Sequence, residues 1–235
     1  MRLVCLVLSL LSIPLYAAPV RMGEYIPINA YEYLPLVYSE SVRLIPDAPR
    51  REYYPALIEH ESCLSLTHRR CWNPSARLQS KRELGIGLGQ TTITYNADGS
   101  VRYDGLGATR KQYMSELKDL SWANIQYRAD LQIRALLLMS RENYKALYSI
   151  KDPIQRLLLA DVAYNHGLGN VRKEIRVCGL TKGCNPQLWT SHVEKICVTS
   201  KKPLYAGRSS CDISRDHPKD VFKRMNKYKL YYERR

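Results

Sequence analysis

The middle of the chain, from Ala108 to Arg176, has a helical pattern of apolar residues. This pattern limits the possible folds more than any other feature of the sequence. Apolar residues recur there at the spacing of an α-helix. Asp152 followed by Pro153 marks a helix start, because aspartate caps free amide groups and proline is tolerated in the first turn. The pattern predicts a mainly α domain with helices over 108–120, 123–147, 152–165 and 168–176.

The helix predicted over 152–165 ends in an unusual way. Its apolar run is followed by Tyr164, Asn165, His166 and Gly167. A helix C-cap accounts for the glycine, which readily adopts the left-handed conformation, and for the asparagine. It does not account for Tyr164, which is either a core residue with a locally bonded hydroxyl or part of a site. We interpret His166 as a surface residue.

The N-terminus has the features of a secretory signal. Arg2 is followed by an apolar run from Leu3 to Leu15, which is too short to span a bilayer comfortably. We predict a signal peptide over 1–17, cleaved after Ala17, and an exported protein that is periplasmic or secreted. An uncleaved anchor is the alternative. No later stretch has the length and apolarity of a membrane helix, so we expect a mature form that does not span the membrane.

The cysteine content fits export. The chain has seven cysteines, and Cys5 lies in the predicted signal, which leaves six. An even number in an exported chain indicates disulfides, and six cysteines allow 15 pairings. Closure between nearest neighbours would join Cys63 to Cys71, Cys178 to Cys184, and Cys197 to Cys211. A zinc site is the alternative, but no CxxC motif and no histidine pair with ligand spacing is present, so we expect no metal.

The charge of the chain favours an anionic partner. Lys and Arg number 36 against 22 Asp and Glu, which gives a net charge of +14. Nucleic acid, a membrane surface and an acidic wall polymer all fit such a surplus, and simple solubility is the alternative. Export argues against nucleic acid, and we expect none as a partner.

We divide the rest of the chain into three parts. Residues 18–46 are rich in tyrosine and proline without a clear period, and we expect an extended N-terminal arm. Residues 47–176 form the helical domain, and 177–235 form a basic, cysteine-rich C-terminal extension stapled by disulfides. Within the domain, Asp47 begins a predicted helix that reaches about Ser62, with a break at Pro55 as an option.

Two further stretches of the domain carry glycine. The sequence GIGLGQ, residues 85–90, is too rich in glycine for a helix interior. Residues 94–105 indicate a loop or a small hairpin that turns at Asp98 and Gly99.

Four short blocks follow one another in a distinctive order. They are Glu61-Ser62, Asn73-Pro74-Ser75-Ala76, Gly87-Leu88-Gly89-Gln90 and Ala163-Tyr164-Asn165-His166-Gly167. In this order they resemble the soluble lytic transglycosylase family, a branch of the lysozyme superfamily, over about 47–176. Gly89 stands where the family has methionine, and the gap from Glu61 to Pro74 is longer. Because Cys63 and Cys71 bracket that gap, we predict an inserted loop stapled by a disulfide.

The resemblance implies a lysozyme-like fold and cleavage of peptidoglycan at the β-1,4 bond after N-acetylmuramic acid. Glu61 would act first as general acid and then as base, so that the 6-hydroxyl of the sugar closes a 1,6-anhydro ring. The substrate-binding residues implied are Ser62, Gln90, Tyr164 and Asn165. No cofactor is implied, and we expect a monomer acting on glycan strands. Glu59 lies about 200° around the helix from Glu61, so we interpret it as a surface or structural charge.

Two other functions remain open. A hydrolase of goose-lysozyme type would use a second carboxylate, for which Asp98 and Asp104 are candidates. A wall-binding protein would need no catalysis, but the presence of Glu61 argues against it.

Overall fold

The computed structural model describes residues 25–205 and 207–233. Its helices are α1 (Ala30–Leu44), α2 (Tyr53–Ser62), α3 (Gly105–Gln112), α4 (Met114–Leu117), α5 (Ala129–Ala146), α6 (Pro153–His166), α7 (Leu168–Leu180) and α8 (Ser210–Glu233). Its strands are β1 (Arg77–Gln79), β2 (Glu83–Ile86), β3 (Thr91–Tyr95), β4 (Val101–Asp104), β5 (Pro203–Tyr205) and β6 (Arg208–Ser209). The prediction of a mainly helical fold is confirmed. The predicted signal peptide, 1–17, lies outside the described residues.

The helices pack around α2 and α6. Helix α2 contacts α1 and α8, and α6 contacts α5, α7 and α8. The main apolar core takes residues from α1, α2, α5 and α8, while a second cluster lies mainly between α6, α7 and the segment around Trp189. None of the helices in the described ranges combines the length and the apolarity needed to cross a bilayer.

A four-stranded antiparallel sheet, in the order β1-β2-β3-β4, lies between α2 and α3 in the chain. Strands β3 and β4 form the predicted hairpin, with Gly99 at a φ of 83° in its turn. The two inner strands, β2 and β3, are joined by a tight turn over residues 87–90, which is the end of the glycine-rich stretch.

The expectation of an extended N-terminal arm is wrong for most of its length, since α1 occupies Ala30–Leu44. Six residues of this helix are buried at helical spacing: Ala30, Leu34, Val37, Glu40, Ser41 and Leu44. Pro35 interrupts the hydrogen-bond ladder but lies beside the buried stripe, so packing of that stripe against α5 outweighs its cost.

Other helix boundaries also differ from the sequence prediction. Helix α2 begins at Tyr53 rather than Asp47, and Pro55 lies in its first turn, where a missing amide hydrogen costs no helical bond. The helix predicted over 108–120 divides into α3 and α4 at Tyr113, and α5 begins at Ala129.

The three nearest-neighbour disulfides, Cys63–Cys71, Cys178–Cys184 and Cys197–Cys211, are present. The first closes the loop that follows α2. The third joins the start of α8 to the preceding segment. Helix α8 itself packs on α2 and α6 and adds Val221, Met225 and Tyr228 to the main core.

Candidate functional site

Three of the four sequence blocks meet at one cleft of about 360 Å³, and the block Asn73-Pro74-Ser75-Ala76 does not line it. A second cleft of about 570 Å³ adjoins it and shares Gln90, Tyr164 and Asn165. Together they form a groove between the sheet and the ends of α2 and α6. The lining of the first cleft includes all five predicted site residues: Glu61, Ser62, Gln90, Tyr164 and Asn165.

Glu61 occupies the last turn of α2, where its carboxylate is 14% exposed and faces the first cleft. Ser62 fixes this helix end. Its hydroxyl donates to the carbonyl of Ile58 at 2.7 Å and accepts from the amide of Trp72 at 3.1 Å. The serine therefore ties α2 to the loop closed by Cys63–Cys71, and its hydroxyl is already engaged with backbone.

The tight turn between β2 and β3 presents Gln90. This residue has a φ of 42°, and its amide nitrogen donates to the carbonyl of Gly87 at 2.9 Å. Its buried amide oxygen has no hydrogen-bond partner within the described residues. Gly87, at a φ of 85°, lies so close to Gln132 that a Cβ would be 2.1 Å from that side chain's oxygen. Only glycine fits there.

Tyr164 holds the same turn from α6. Its hydroxyl donates to the carbonyl of Gly89 at 2.8 Å. Burial, followed by the charges of Glu61 and Asp161, raises the pKa of Tyr164 well above its usual range, so the hydroxyl keeps its proton. A Cβ on Gly89 would lie 2.8 Å from this hydroxyl, so the close approach of Tyr164 requires glycine here.

Asn165 follows on the exposed side of α6 and lines both clefts. No side-chain hydrogen bond of Asn165 is formed within the described ranges, so its amide is open to a ligand. The neighbouring His166 is buried, with Nε2 3.7 Å from Glu174 and Nδ1 3.2 Å from the hydroxyl of Ser210. The interpretation of His166 as a surface residue is wrong, because α7 and α8 cover it.

Sequence reasoning missed the closest partner of Glu61, which is His217 of α8. The Nε2 of His217 lies 3.0 Å from Glu61 Oε1, and its Nδ1 lies 2.7 Å from Asp161 Oδ2. Tyr53 completes the chain by donating to Asp161 Oδ1 at 2.8 Å. Burial opposes a charge on the imidazole, but Asp161 and Glu61 together raise the pKa of His217 to about 10.

A sequence signal for this chain of contacts existed in α6. Asp161 interrupts the apolar run LLLADVA and is fully buried. A carboxylate in a buried helix face needs a cation or several donors. That requirement predicts a partner, although it does not identify His217.

Glu59 points away from the groove and is fully buried under α8. Its carboxylate accepts from Arg224 at 2.7 Å, from Lys227 at 2.7 Å and from the hydroxyl of Tyr228. The structural interpretation of Glu59 fits this arrangement, and the surface one does not.

The two candidate second carboxylates have other roles. Asp98 bonds Ser100 in the hairpin turn, and Asp104 caps α3 through the amide of Gly107 at 2.8 Å. Neither lines the clefts, so the suggestion that they supply a second acid to this groove is wrong. Glu83 of β2 lines both clefts instead.

No protein-family model matches this chain, and no curated protein matches it either. Within the described ranges, no group of three histidine, cysteine or acidic side chains is arranged to hold a metal ion.

Proposed function

We propose that this chain is a peptidoglycan lytic transglycosylase with a lysozyme-like fold. The observation that carries the proposal is the meeting of Glu61, Gln90, Tyr164 and Asn165 in one open groove, although they come from three separate sequence blocks. A groove that is lined by a few carboxylates and several amides offers hydrogen-bonding groups to a neutral sugar backbone. The substrate would be a glycan strand lying along both clefts.

The reaction would proceed in two proton transfers at Glu61. In the first, the protonated carboxyl gives its proton to the glycosidic oxygen, and the bond from the anomeric carbon to that oxygen breaks. In the second, the 6-hydroxyl oxygen of the same muramic acid attacks the anomeric carbon while Glu61 takes the hydroxyl proton. The product has a 1,6-anhydro ring, no water is consumed, and Glu61 is protonated again.

The charge around the groove supports an acidic polymer as the substrate. Arg70, from the loop closed by Cys63–Cys71, lines the first cleft close to Glu61. Its guanidinium forms no hydrogen bond or ion pair within the described residues, and guanidinium groups bind carboxylates well. Stem peptides of peptidoglycan carry such carboxylates next to the muramic acid. The net charge of +14 would favour association with the same polymer.

Hydrolysis is the second candidate, and Glu83 is the observation that favours it. This carboxylate lines both clefts together with Gln90, so it could activate a water on the far side of the sugar. The two candidates therefore differ in whether water or the sugar's own hydroxyl completes the reaction.

Mass spectrometry of fragments released from purified peptidoglycan tests the proposal. The chain lacking 1–17 is used with its disulfides oxidised, and the Glu61→Gln variant is the control. Fragments lighter by one water and resistant to borohydride reduction are expected. Reducing ends that depend on Glu83 would establish the hydrolase instead. Binding without any fragments, from folded protein, would leave a wall-binding function and overturn the proposed one.

A further inference from the structure

Helix α8 places a buried imidazole directly against the proposed catalytic carboxylate. Both ring nitrogens of His217 are in contact with carboxylates, Glu61 at 3.0 Å and Asp161 at 2.7 Å. Tyr53 fixes Asp161 from the other side. The ring therefore cannot rotate without breaking two charge-assisted hydrogen bonds.

The contact with His217 makes the two carboxylate oxygens of Glu61 inequivalent. Oε1 faces His217, and no further hydrogen bond of this carboxylate is formed within the described residues. The cleft contacts Glu61 on its open side. One oxygen is thus held by the protein, and the other is left for a proton that moves to and from the substrate.

We propose that His217, held by Asp161, is a positioning residue that fixes Glu61 and offsets the negative charge left on it after the first proton transfer. This inference rests on the proposed function. Acid and base steps both need the same oxygen in the same place, and a misplacement of about 1 Å can cost roughly 10²-fold in rate. A cation beside the carboxylate stabilises the charged intermediate state.

The groups around His217 support a lasting positive charge. Glu61 and His60 face it from α2, and Asp161 faces it from α6. His60 lies with its ring centroid 4.2 Å from that of His217, but its Nδ1 is bonded to Asp220 at 2.6 Å. With a pKa raised to about 10, His217 stays charged throughout the acidic and neutral range.

Steady-state kinetics of three variants test the inference. His217→Gln keeps a hydrogen-bond donor but loses the charge, His217→Leu loses both, and Asp216→Asn, in an exposed ion pair with Arg208, is the control on α8. We expect kcat to fall in the order wild type, Gln, Leu, by roughly 10²-fold for Leu, with KM within a few-fold and a shifted acidic limb of the pH profile. Asp216→Asn should keep both kcat and the profile. An unchanged kcat and pH profile in His217→Leu would overturn the inference.

An NMR titration of His217 in the folded protein gives a readout that needs no activity. The imidazole signals should titrate near pH 10, and Asp161→Asn should move the titration to lower pH. A midpoint near the ordinary 6.5 in the native protein would overturn the inference whatever the enzyme does. Absence of wall cleavage by the wild type would instead refute the proposed function, so the two failures are distinguishable.

Discussion

Two carboxylates of helix α2, Glu59 and Glu61, are contacted by the same helix α8 and yet differ in every property that matters for chemistry. Glu59 is fully buried and accepts from Arg224, Lys227 and Tyr228. Glu61 is 14% exposed, faces a cleft and, among the residues that the structure describes, has the single partner His217. The two residues are only two positions apart, so the helix directs them to opposite environments.

The comparison distinguishes Glu59, which is held in buried ion pairs, from Glu61, which is placed for the proposed proton transfers. Three donors use most of the acceptor capacity of Glu59, and two of them, Arg224 and Lys227, are cations. Glu61 has one oxygen held and one open, which is the minimum that an acid and base needs. Helix α8 therefore holds Glu59 of α2 through Arg224, Lys227 and Tyr228, and it supports the candidate site through His217.

The largest expected effect is on turnover in Glu61→Gln. Because both proton transfers of the proposed mechanism occur at Glu61, this change should lower kcat by about 10²–10⁴-fold, while the amide oxygen still accepts from His217 and preserves folding. Release of anhydro fragments from peptidoglycan measures the rate, and circular dichroism checks the fold. Glu83→Gln is the matched control and should retain transglycosylation. Turnover at the wild-type rate in Glu61→Gln would show that Glu61 does not transfer the protons, and it would contradict the contrast drawn between Glu59 and Glu61.

The next effect is on stability in Glu59→Gln. This change leaves buried Lys227 without its counter-charge and leaves Arg224 with Asp220 alone. Breaking a buried ion pair in this way costs about 3–5 kcal/mol. Chemical denaturation measures the free energy of unfolding. Glu233→Gln is the control, since its pair with Lys229 is exposed and worth about 0.3–0.5 kcal/mol. Equal decreases in the free energy of unfolding in the two variants would show that the buried ion pairs of Glu59 contribute no more to stability than an exposed pair.

The free energy of unfolding should depend on pH through the contacts of His217 with Glu61 and Asp161. The pKa of His217 is raised in the folded state to about 10 from an ordinary 6.5, so its contribution to stability is complete below pH 6.5 and is lost as pH rises towards 10. The free energy of unfolding should therefore fall over this range by a larger amount in the wild type than in His217→Asn. Parallel pH curves for the two proteins would contradict the pairing.

The smallest effect is expected at the rim of the first cleft. Arg70→Ala should raise KM for glycan strands that carry stem peptides by a few-fold, up to about tenfold, because one charged hydrogen-bond donor is lost. Strands stripped of peptides should show no change. Arg69→Ala is the control, since Arg69 is exposed and does not line the cleft. Equal losses in the two variants would point to overall charge rather than a contact at Arg70.

The residues of the groove were predictable from short motifs whose order resembles that of a known family. Glu61 and Gln90 lie in short motifs whose order indicated a common site, and the structure brings them together with Tyr164 and Asn165. The mainly helical fold and the hairpin turn at Gly99 also followed from local signals. Such features depend on residues close together in the chain.

The support behind the groove was not predictable in the same way. Contacts of α8 with α2 join residues separated by 156 to 169 positions, and no local pattern encodes them. A run of basic residues in a sequence is typical of a solvated surface. Arg224 and Lys227 instead point into the protein, because they pair with the buried carboxylate of Glu59. Helix α1 was missed for a different reason, because Pro35 concealed a regular apolar stripe.

The position of α8 near the C-terminus has a consequence for the order in which the protein is made. Glu59 and Glu61 leave the ribosome long before the helix that neutralises the first and holds the second. Until α8 is made, Glu59 lacks Arg224, Lys227 and Tyr228, and Glu61 lacks His217, so the arrangement of the groove is incomplete. A product cut short before His217 would therefore lack the contacts that hold both carboxylates, and the proposed activity would be available only to molecules that include α8.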